Sequence, residues 1–259
     1  MEKVTFLKRD KLDYRANESY KTLRTNIQFC GDEVKVLTFT SCTPNEGKSS
    51  VSFNLAVSFA EAGKRVILVD ADLRKSVLIG RYKVGEIDYG LTHYLSGQKE
   101  LGEVLCKTDV DNMDIVFSGT YSPNPAELLN HSRFSNMLNK LREDYDYVII
   151  DTPPLGSVID SAIVAKISDG AIIVIEANAI SYKFAQSVKD QLDKSNCRIL
   201  GAVINKIPME RKGYYGKYYG KYYGKYYGKY YGTYGDGKTD TADADNSSKK
   251  IESNKKSRK

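Results

Sequence analysis

Ser41-Cys42-Thr43-Pro44-Asn45-Glu46-Gly47-Lys48-Ser49-Ser50 follows an apolar run, Val34 to Thr40, and precedes a helical pattern, Val51 to Ala62. Strand, loop, then helix is the setting in which Gly-Lys-Ser binds phosphate. The first N–H groups of a helix have no intrahelical partner, and the helix dipole adds partial positive charge there. A polyphosphate laid against that turn answers both. Gly47 lets the backbone approach closely, Lys48 reaches the outer phosphates, and the Ser49 hydroxyl can ligate Mg²⁺. Pro44, Asn45, Glu46 and Ser50 complete the candidate cradle. The usual pattern opens with Gly five residues before Gly47, and here that position is Cys42.

Working outward, 259 residues with 41% hydrophobic content suffice for one α/β domain and an extra segment. No run of 18 apolar residues occurs, so no membrane span is expected. Met1-Glu2-Lys3-Val4 lacks the apolar core of a signal peptide. Cys30, Cys42, Cys106 and Cys197 show neither metal nor disulfide spacing, which fits a cytosolic protein with reduced thiols. Charge is unevenly placed. Residues 211–259 hold 13 Lys/Arg against 5 Asp/Glu, a net of +8, so the total of +6 leaves −2 for residues 1–210. A body this close to neutral gives no indication of nucleic-acid binding.

Ala16 to Phe29 reads as an amphipathic helix, with Ala16, Tyr20, Leu23 and Ile27 on one face. Glu18, Lys21 and Arg24 lie on the polar side, where a solvated face with local ion pairs is the plain reading. Helix Ser49–Ala62 stops at Gly63. Arg65 to Asp70, Met113 to Phe117, Tyr147 to Asp151, Gly170 to Glu176 and Ile199 to Asn205 read as strands, mostly apolar throughout and so buried on both faces. Tyr89 to Gly97 mixes turn and short-helix signals. Gly119 to Pro125 is a loop, Pro125 starts a helix, and Ser132 caps the next one, which runs to Glu143. Ser181 to Ser195 is a further helix. The alternation predicts a doubly wound, mainly parallel α/β sheet over residues 1–210. Ligands bind at the carboxyl ends of such strands, where Lys48, Asp70, Asp72, Asp151 and Asn205 all fall.

Two apolar strands end in Asp. Asp151 sits where the second acidic element of phosphate-loop NTPases holds Mg²⁺ directly or through water. Asp70-Ala-Asp72-Leu-Arg74 puts two carboxylates and a guanidinium within five residues. These carboxylates can orient Mg²⁺, its waters and an attacking hydroxyl. A free Asp titrates near 3.9 and a Tyr near 10, so Asp accepts a tyrosine proton only late, as the phosphoryl group arrives.

These blocks resemble the bacterial tyrosine kinases of the cytoplasmic type that serve capsular and exopolysaccharide synthesis. The resemblance rests on Thr43-Pro44-Asn45-Glu46-Gly47-Lys48-Ser49, Val69-Asp70-Ala71-Asp72-Leu73-Arg74-Lys75 and Ile149-Ile150-Asp151-Thr152-Pro153-Pro154. Gly90-Leu91-Thr92-His93-Tyr94-Leu95-Ser96-Gly97 and Pro123-Asn124-Pro125-Ala126-Glu127-Leu128-Leu129 are also similar. It implies ATP and Mg²⁺ as cofactors, with Lys48 on phosphate and Ser49, Asp70 and Asp151 around the metal. Asp70 is implied as the base beside Asp72, and Asn205 as the reader of adenine. It also implies a homo-oligomeric ring joined through Glu18, Lys21 and Arg24, although Lys21 lacks the fork of the family's arginine. A separate transmembrane activator of the polysaccharide co-polymerase kind is implied, recruiting the protein to the inner face of the membrane, together with a cognate tyrosine phosphatase. Asn45 stands where the family often has Gly, and Ser50 where it often has Thr. Thr43 replaces the lysine by which related partition and division-site ATPases reach across a dimer.

The family phosphorylates tyrosines clustered at its own C-terminus. Here Tyr214, Tyr215, Tyr218, Tyr219, Tyr222, Tyr223, Tyr226, Tyr227, Tyr230, Tyr231 and Tyr234 are 11 of the 20 tyrosines, in Tyr-Tyr-Gly-Lys repeats. A glycine in every four-residue unit builds neither helix nor strand face, and residues 211–259 read as disordered. The 23 residues from Gly213 to Gly235 span about 75 Å when extended, enough to reach a neighbour's site in a ring. The rival reading is a regulatory ATPase whose Tyr/Lys tail binds single-stranded nucleic acid, lipid or polysaccharide.

Overall fold

The computed structural model describes residues 2–9 and 11–208. The tail from residue 211, with every candidate acceptor tyrosine, lies outside the described residues. The elements in chain order are β1 (Glu2–Lys3), α1 (Tyr14–Gln28), β2 (Val36–Ser41), α2 (Lys48–Glu61), β3 (Val66–Asp70) and α3 (Leu78–Tyr82). Then come α4 (Leu91–Leu95), α5 (Leu101–Val104), β4 (Leu105–Lys107), β5 (Met113–Val116), α6 (Pro125–Asn130) and α7 (Ser132–Asp144). The last are β6 (Tyr147–Asp151), α8 (Asp160–Ala165), β7 (Gly170–Glu176), α9 (Tyr182–Asp193) and β8 (Ile199–Asn205).

The strands form one sheet in the order β1-β4-β5-β3-β6-β2-β7-β8. Every neighbouring pair is parallel except β4 with β5. β2 and β3 are buried along their whole length, as apolar runs between two helical layers must be. Side chains alternate between the faces. Leu37, Phe39, Leu68 and Ile149 pack under Phe53, Leu55 and Phe59 of α2. Ile67, Val69, Val148 and Ile150 pack against Phe134, Leu138 and Leu141 of α7. Each such side chain contributes about 1.5–3 kcal/mol by leaving water.

The chain leaves β2 through α2 and returns as β3, one strand position short of adjacency. β6 later fills that slot, in register with both neighbours: Asp151 lies beside Phe39 of β2 and beside Asp70 of β3. This strand order puts the ends of β2, β6 and β3 side by side.

The sequence pattern locates the central strands to within two residues and misses the small pieces. β1 and β4 are two and three residues long, too short for any periodicity to register. α1 begins at Tyr14, two residues before Ala16, because Asp13 caps it by accepting the Ala16 N–H at 2.7 Å. Ser132 is not a cap. His131 takes that place, with extended backbone between two helices and Nδ1 accepting the Arg133 N–H at 3.2 Å.

Asp169 ties the start of the sheet to α7. Its carboxylate accepts both arms of the Arg142 guanidinium at 2.8 Å and the N–H groups of Lys35 and Val36 at 2.9 and 2.8 Å. Burial alone would raise its proton affinity, but Arg142 and the two backbone donors outweigh that and hold it below the usual carboxylate range. A depressed folded-state value means stability present above the unfolded value near 3.9 and lost as pH falls through the folded one. Asp169→Asn is therefore expected to cost about 1–3 kcal/mol at neutral pH. The gap to wild type should shrink progressively below about pH 4 in urea-unfolding curves.

Candidate active site

Gly47 precedes the first turn of α2 with φ of 88°, a left-handed conformation that glycine adopts freely. The loop folds tightly against β8: a Cβ at Gly47 would lie 2.1 Å from the Asn205 amide nitrogen. Asn45 also sits in the left-handed region, at φ of 68°. Asn tolerates that region better than other side-chain-bearing residues, which explains how it occupies a position where glycine is common. Cys42, in place of the opening glycine, turns its buried side chain into the cluster of Leu155, Ala162 and Ala165. Burial, then the charge of Glu46, pushes its thiol up to about 11.

Polar side chains of the candidate cradle and of its neighbours hold the loop in shape. The Glu46 side chain turns inward. It is buried, accepting the Thr43 N–H at 2.7 Å and the Glu176 N–H at 3.4 Å. A carboxylate turned toward phosphate would repel it, whereas turned inward it satisfies donors of its own loop. The Asn205 amide donates to the Glu46 carbonyl at 2.8 Å, bracing the loop from the end of β8. Lys206 braces it again, donating to the Asn45 carbonyl at 2.6 Å and to Glu176 at 2.8 Å. The Ser50 hydroxyl accepts from Arg81.

Lys48 and Asp151 meet at 2.6 Å, both almost wholly buried, and the Lys48 ammonium also reaches the Ser49 hydroxyl at 3.3 Å. Asp70 has no exposed surface. Burial, then the neighbouring Asp151, pushes its carboxyl up to about 7, against a bond from the Ser76 hydroxyl and the Lys48 charge. Asp72 is half-buried and caps its own turn, accepting the Arg74 and Lys75 N–H groups at 3.3 and 3.0 Å. Arg74 in turn grips Asp160, a partner that no sequence motif announces.

This donor set fits Mg²⁺. Ser49, Asp70 and Asp151 supply hydroxyl and carboxylate oxygen, the hard ligands that the ion takes. Among the described residues no group of three or more His, Cys, Asp and Glu is placed to cage a metal.

The remaining expected residues lie away from this edge. Glu18 and Lys21 pair with each other at 2.7 Å on the exposed side of α1. Arg24 does not extend that pair: its guanidinium docks α1 on α2 through the Ser58 carbonyl and, at 3.2 Å, the Ser58 hydroxyl.

A phosphate loop leading from an inner strand of a mainly parallel sheet, with Asp151 ending the adjacent strand β6 and Asp70 ending β3 next to that, defines the phosphate-loop NTPase fold. The family model described as an AAA domain matches residues 35–199. The tyrosine-protein kinase CpsD of Streptococcus agalactiae serotype III is 42% identical over 193 residues, 74% of this chain and 83% of that protein. CpsD of Streptococcus pneumoniae is 43% identical over 204 residues, 78% of this chain and 90% of that protein. The kinase domain of the Escherichia coli tyrosine kinase ETK superposes with a TM-score of 0.70 at 32% identity, covering 77% of this chain and 80% of that one. The chain belongs to the bacterial tyrosine-protein kinase family. Among the described residues no helix is long and apolar enough to cross a membrane.

Gly47→Ala should lower the melting temperature by the equivalent of about 1–2 kcal/mol from the left-handed backbone alone, and weaken Mg-ATP binding by displacing Asn205. Adding Asn205→Ala is expected to relieve the clash and recover part of the stability, with the backbone strain remaining. Melting curves and nucleotide titration of the single and double variants check this.

Proposed function

We propose that this chain transfers the γ-phosphoryl group of ATP to tyrosines of its own C-terminal tail, and that this modification regulates the synthesis and export of capsular or extracellular polysaccharide. The observation that carries the reading is the meeting of Lys48, Asp151 and Asp70 at adjoining strand ends, in a chain that also holds eleven clustered tyrosines. Its membership of the tyrosine-protein kinase family supports it.

In this reading the first N–H groups of α2 cradle the phosphates, and Lys48 turns from Asp151 to the outer ones. Ser49, Asp70 and Asp151 would hold Mg²⁺, which would supply positive charge against that developing on the transferred group. Asp72, the more open carboxylate, orients the incoming tyrosine hydroxyl. Asp70 takes its proton as the phosphoryl group arrives. Asn205 has a second role beside bracing the loop, reading the adenine ring.

The exposed Glu18–Lys21 edge of α1, with Arg24 beside it, joins copies into a ring in which one chain's tail reaches the next chain's site. A transmembrane activator of the polysaccharide co-polymerase class recruits the protein to the membrane, and a tyrosine phosphatase reverses the modification. Each phosphotyrosine adds about −1.5 to −2 charges. About five of them cancel the tail's +8, so phosphorylation turns an adhesive basic segment into a repelling acidic one and loosens the ring. Light scattering before and after incubation with Mg-ATP should show the assembly shrinking; an unchanged mass would count against this step.

Incubation of the full chain with Mg-ATP should place phosphate on peptides from Gly213 to Gly235. Lys48→Met is expected to reduce that labelling at least about 100-fold by removing a preorganised charge from the transferring group. The same change leaves Asp151 buried without its cation, so the variant should also melt lower, and labelling is compared at a temperature where both proteins are folded. ATP turnover without phosphate on the tail would replace this reading by a regulatory ATPase.

A further inference from the structure

Arg74 Nε and Nη2 donate to the two carboxylate oxygens of Asp160 at 2.7 and 2.9 Å, a planar two-point contact across 86 residues of sequence. Asp160 has no exposed surface, while the Arg74 side chain keeps 38%. A carboxylate buried this way loses its hydration, and a well-packed apolar pair of similar volume would serve stability as well or better. Stability alone therefore gives no reason for an ion pair at this point.

Its place among the motifs does. Asp160 opens α8, and the next residue, Ser161, donates its hydroxyl to the Pro153 carbonyl. That carbonyl also accepts the Thr40 hydroxyl at 3.1 Å, and the Thr40 oxygen accepts the Leu155 N–H at 3.1 Å. Pro153 lies two residues beyond Asp151, and Thr40 is the penultimate residue of the strand that feeds the phosphate loop. On the other side, Asp72 accepts the N–H of Arg74 itself. One continuous path of bonds thus runs from the Asp72 carboxylate through Arg74, Asp160, Ser161 and Pro153 to Thr40. It links the Asp70–Asp72 loop, the segment after Asp151 and the root of the phosphate loop.

We propose that Arg74 and Asp160 form a positioning pair for phosphoryl transfer, a two-point clamp that sets where the Asp72 carboxylate stands relative to the phosphate loop. The inference rests on the kinase reading above. Neither residue touches nucleotide or acceptor; both act through Asp72. Because Asp72 caps the Arg74 N–H, a shift of the Arg74 backbone carries the carboxylate with it. A lysine at position 74 keeps the charge but replaces the planar fork with a single rotating ammonium, so the orientation is lost. A displacement of about 1 Å in a reacting geometry costs about 100-fold in rate.

The test compares the full wild-type chain with Arg74→Lys, Asp160→Asn, their double variant, and Arg74→Met/Asp160→Leu, which replaces the pair by apolar side chains. Melting temperature, Mg-ATP affinity and the single-turnover rate of phosphate appearance on the tail are measured for each. The apolar pair is expected to melt at or above the wild-type temperature, to bind Mg-ATP within about threefold, and to transfer about 100-fold more slowly. Arg74→Lys should show the same split between affinity and rate. Combining it with Asp160→Asn should add no further loss, as for two residues acting as one unit. A folded apolar pair that transfers at the wild-type rate overturns the clamp. So does a loss of affinity in step with rate, or single losses that multiply in the double variant. Should the apolar pair fail to fold, Arg74→Lys decides, since the Arg74 head group is partly exposed. A wild-type chain that hydrolyses ATP and labels no tail residue defeats the kinase reading instead, and the clamp is then judged by the hydrolysis rates of the same variants.

Discussion

Lys48 and Asp151 meet at 2.6 Å with almost no exposure, and the charge balance of the site follows from that contact. Burying either group alone would be costly, so each requires the other. The pairing uses up the ammonium. Asp70, one strand over and in register with Asp151, is left without a cation of its own and holds its proton up to about 7. Asp151 and Asp70 thus share one lysine, and Asp72, two residues on, adds its charge to Asp70. That deficit of positive charge is the electrostatic condition for a divalent ion, and the anionic cluster would otherwise oppose any phosphate brought to it.

The loop around Lys48 is braced before any ligand arrives. Glu46 from within, Asn205 and Lys206 from the end of β8, and Arg81 from α3 each spend a polar side chain on loop backbone or on the helix it leads into. Donors fixed in place cost no reorganisation at the moment of reaction, which is what electrostatic stabilisation of a transferring phosphoryl group requires. The two left-handed residues, Asn45 and Gly47, give the loop its shape. A side chain at Gly47 would have to displace the Asn205 amide.

Much of this architecture was legible in the sequence because burial on both faces leaves a plain mark. The apolar runs ending at Asp70 and Asp151 are buried strands, and Ile27, Tyr20 and Leu23 of α1 pack on the core as their spacing requires. The two-residue β1 and three-residue β4 were not legible, since a strand that short has no period. Capping was only half legible: Gly63 ends α2 at φ of 77° as a glycine stop should. His131 takes the cap from Ser132, because the non-helical residue between two abutting helices is set by how they pack. Arg24 reads as a surface charge by its position on α1, yet the neighbouring α2 supplies it a carbonyl and a hydroxyl.

The sequence by itself determined the phosphate loop, the acidic strand ends, the uneven charge and the tyrosine cluster, because these are written in contiguous residues and in composition. Tertiary structure alone decided which charged groups meet. Lys48 finds Asp151 across 103 residues and Arg74 finds Asp160 across 86. Both meetings depend on β6 entering the slot between β2 and β3, an outcome of strand order that no local pattern encodes. Periodicity records whether a side chain is buried, whereas the partner of a buried charge is set by what the fold brings alongside it.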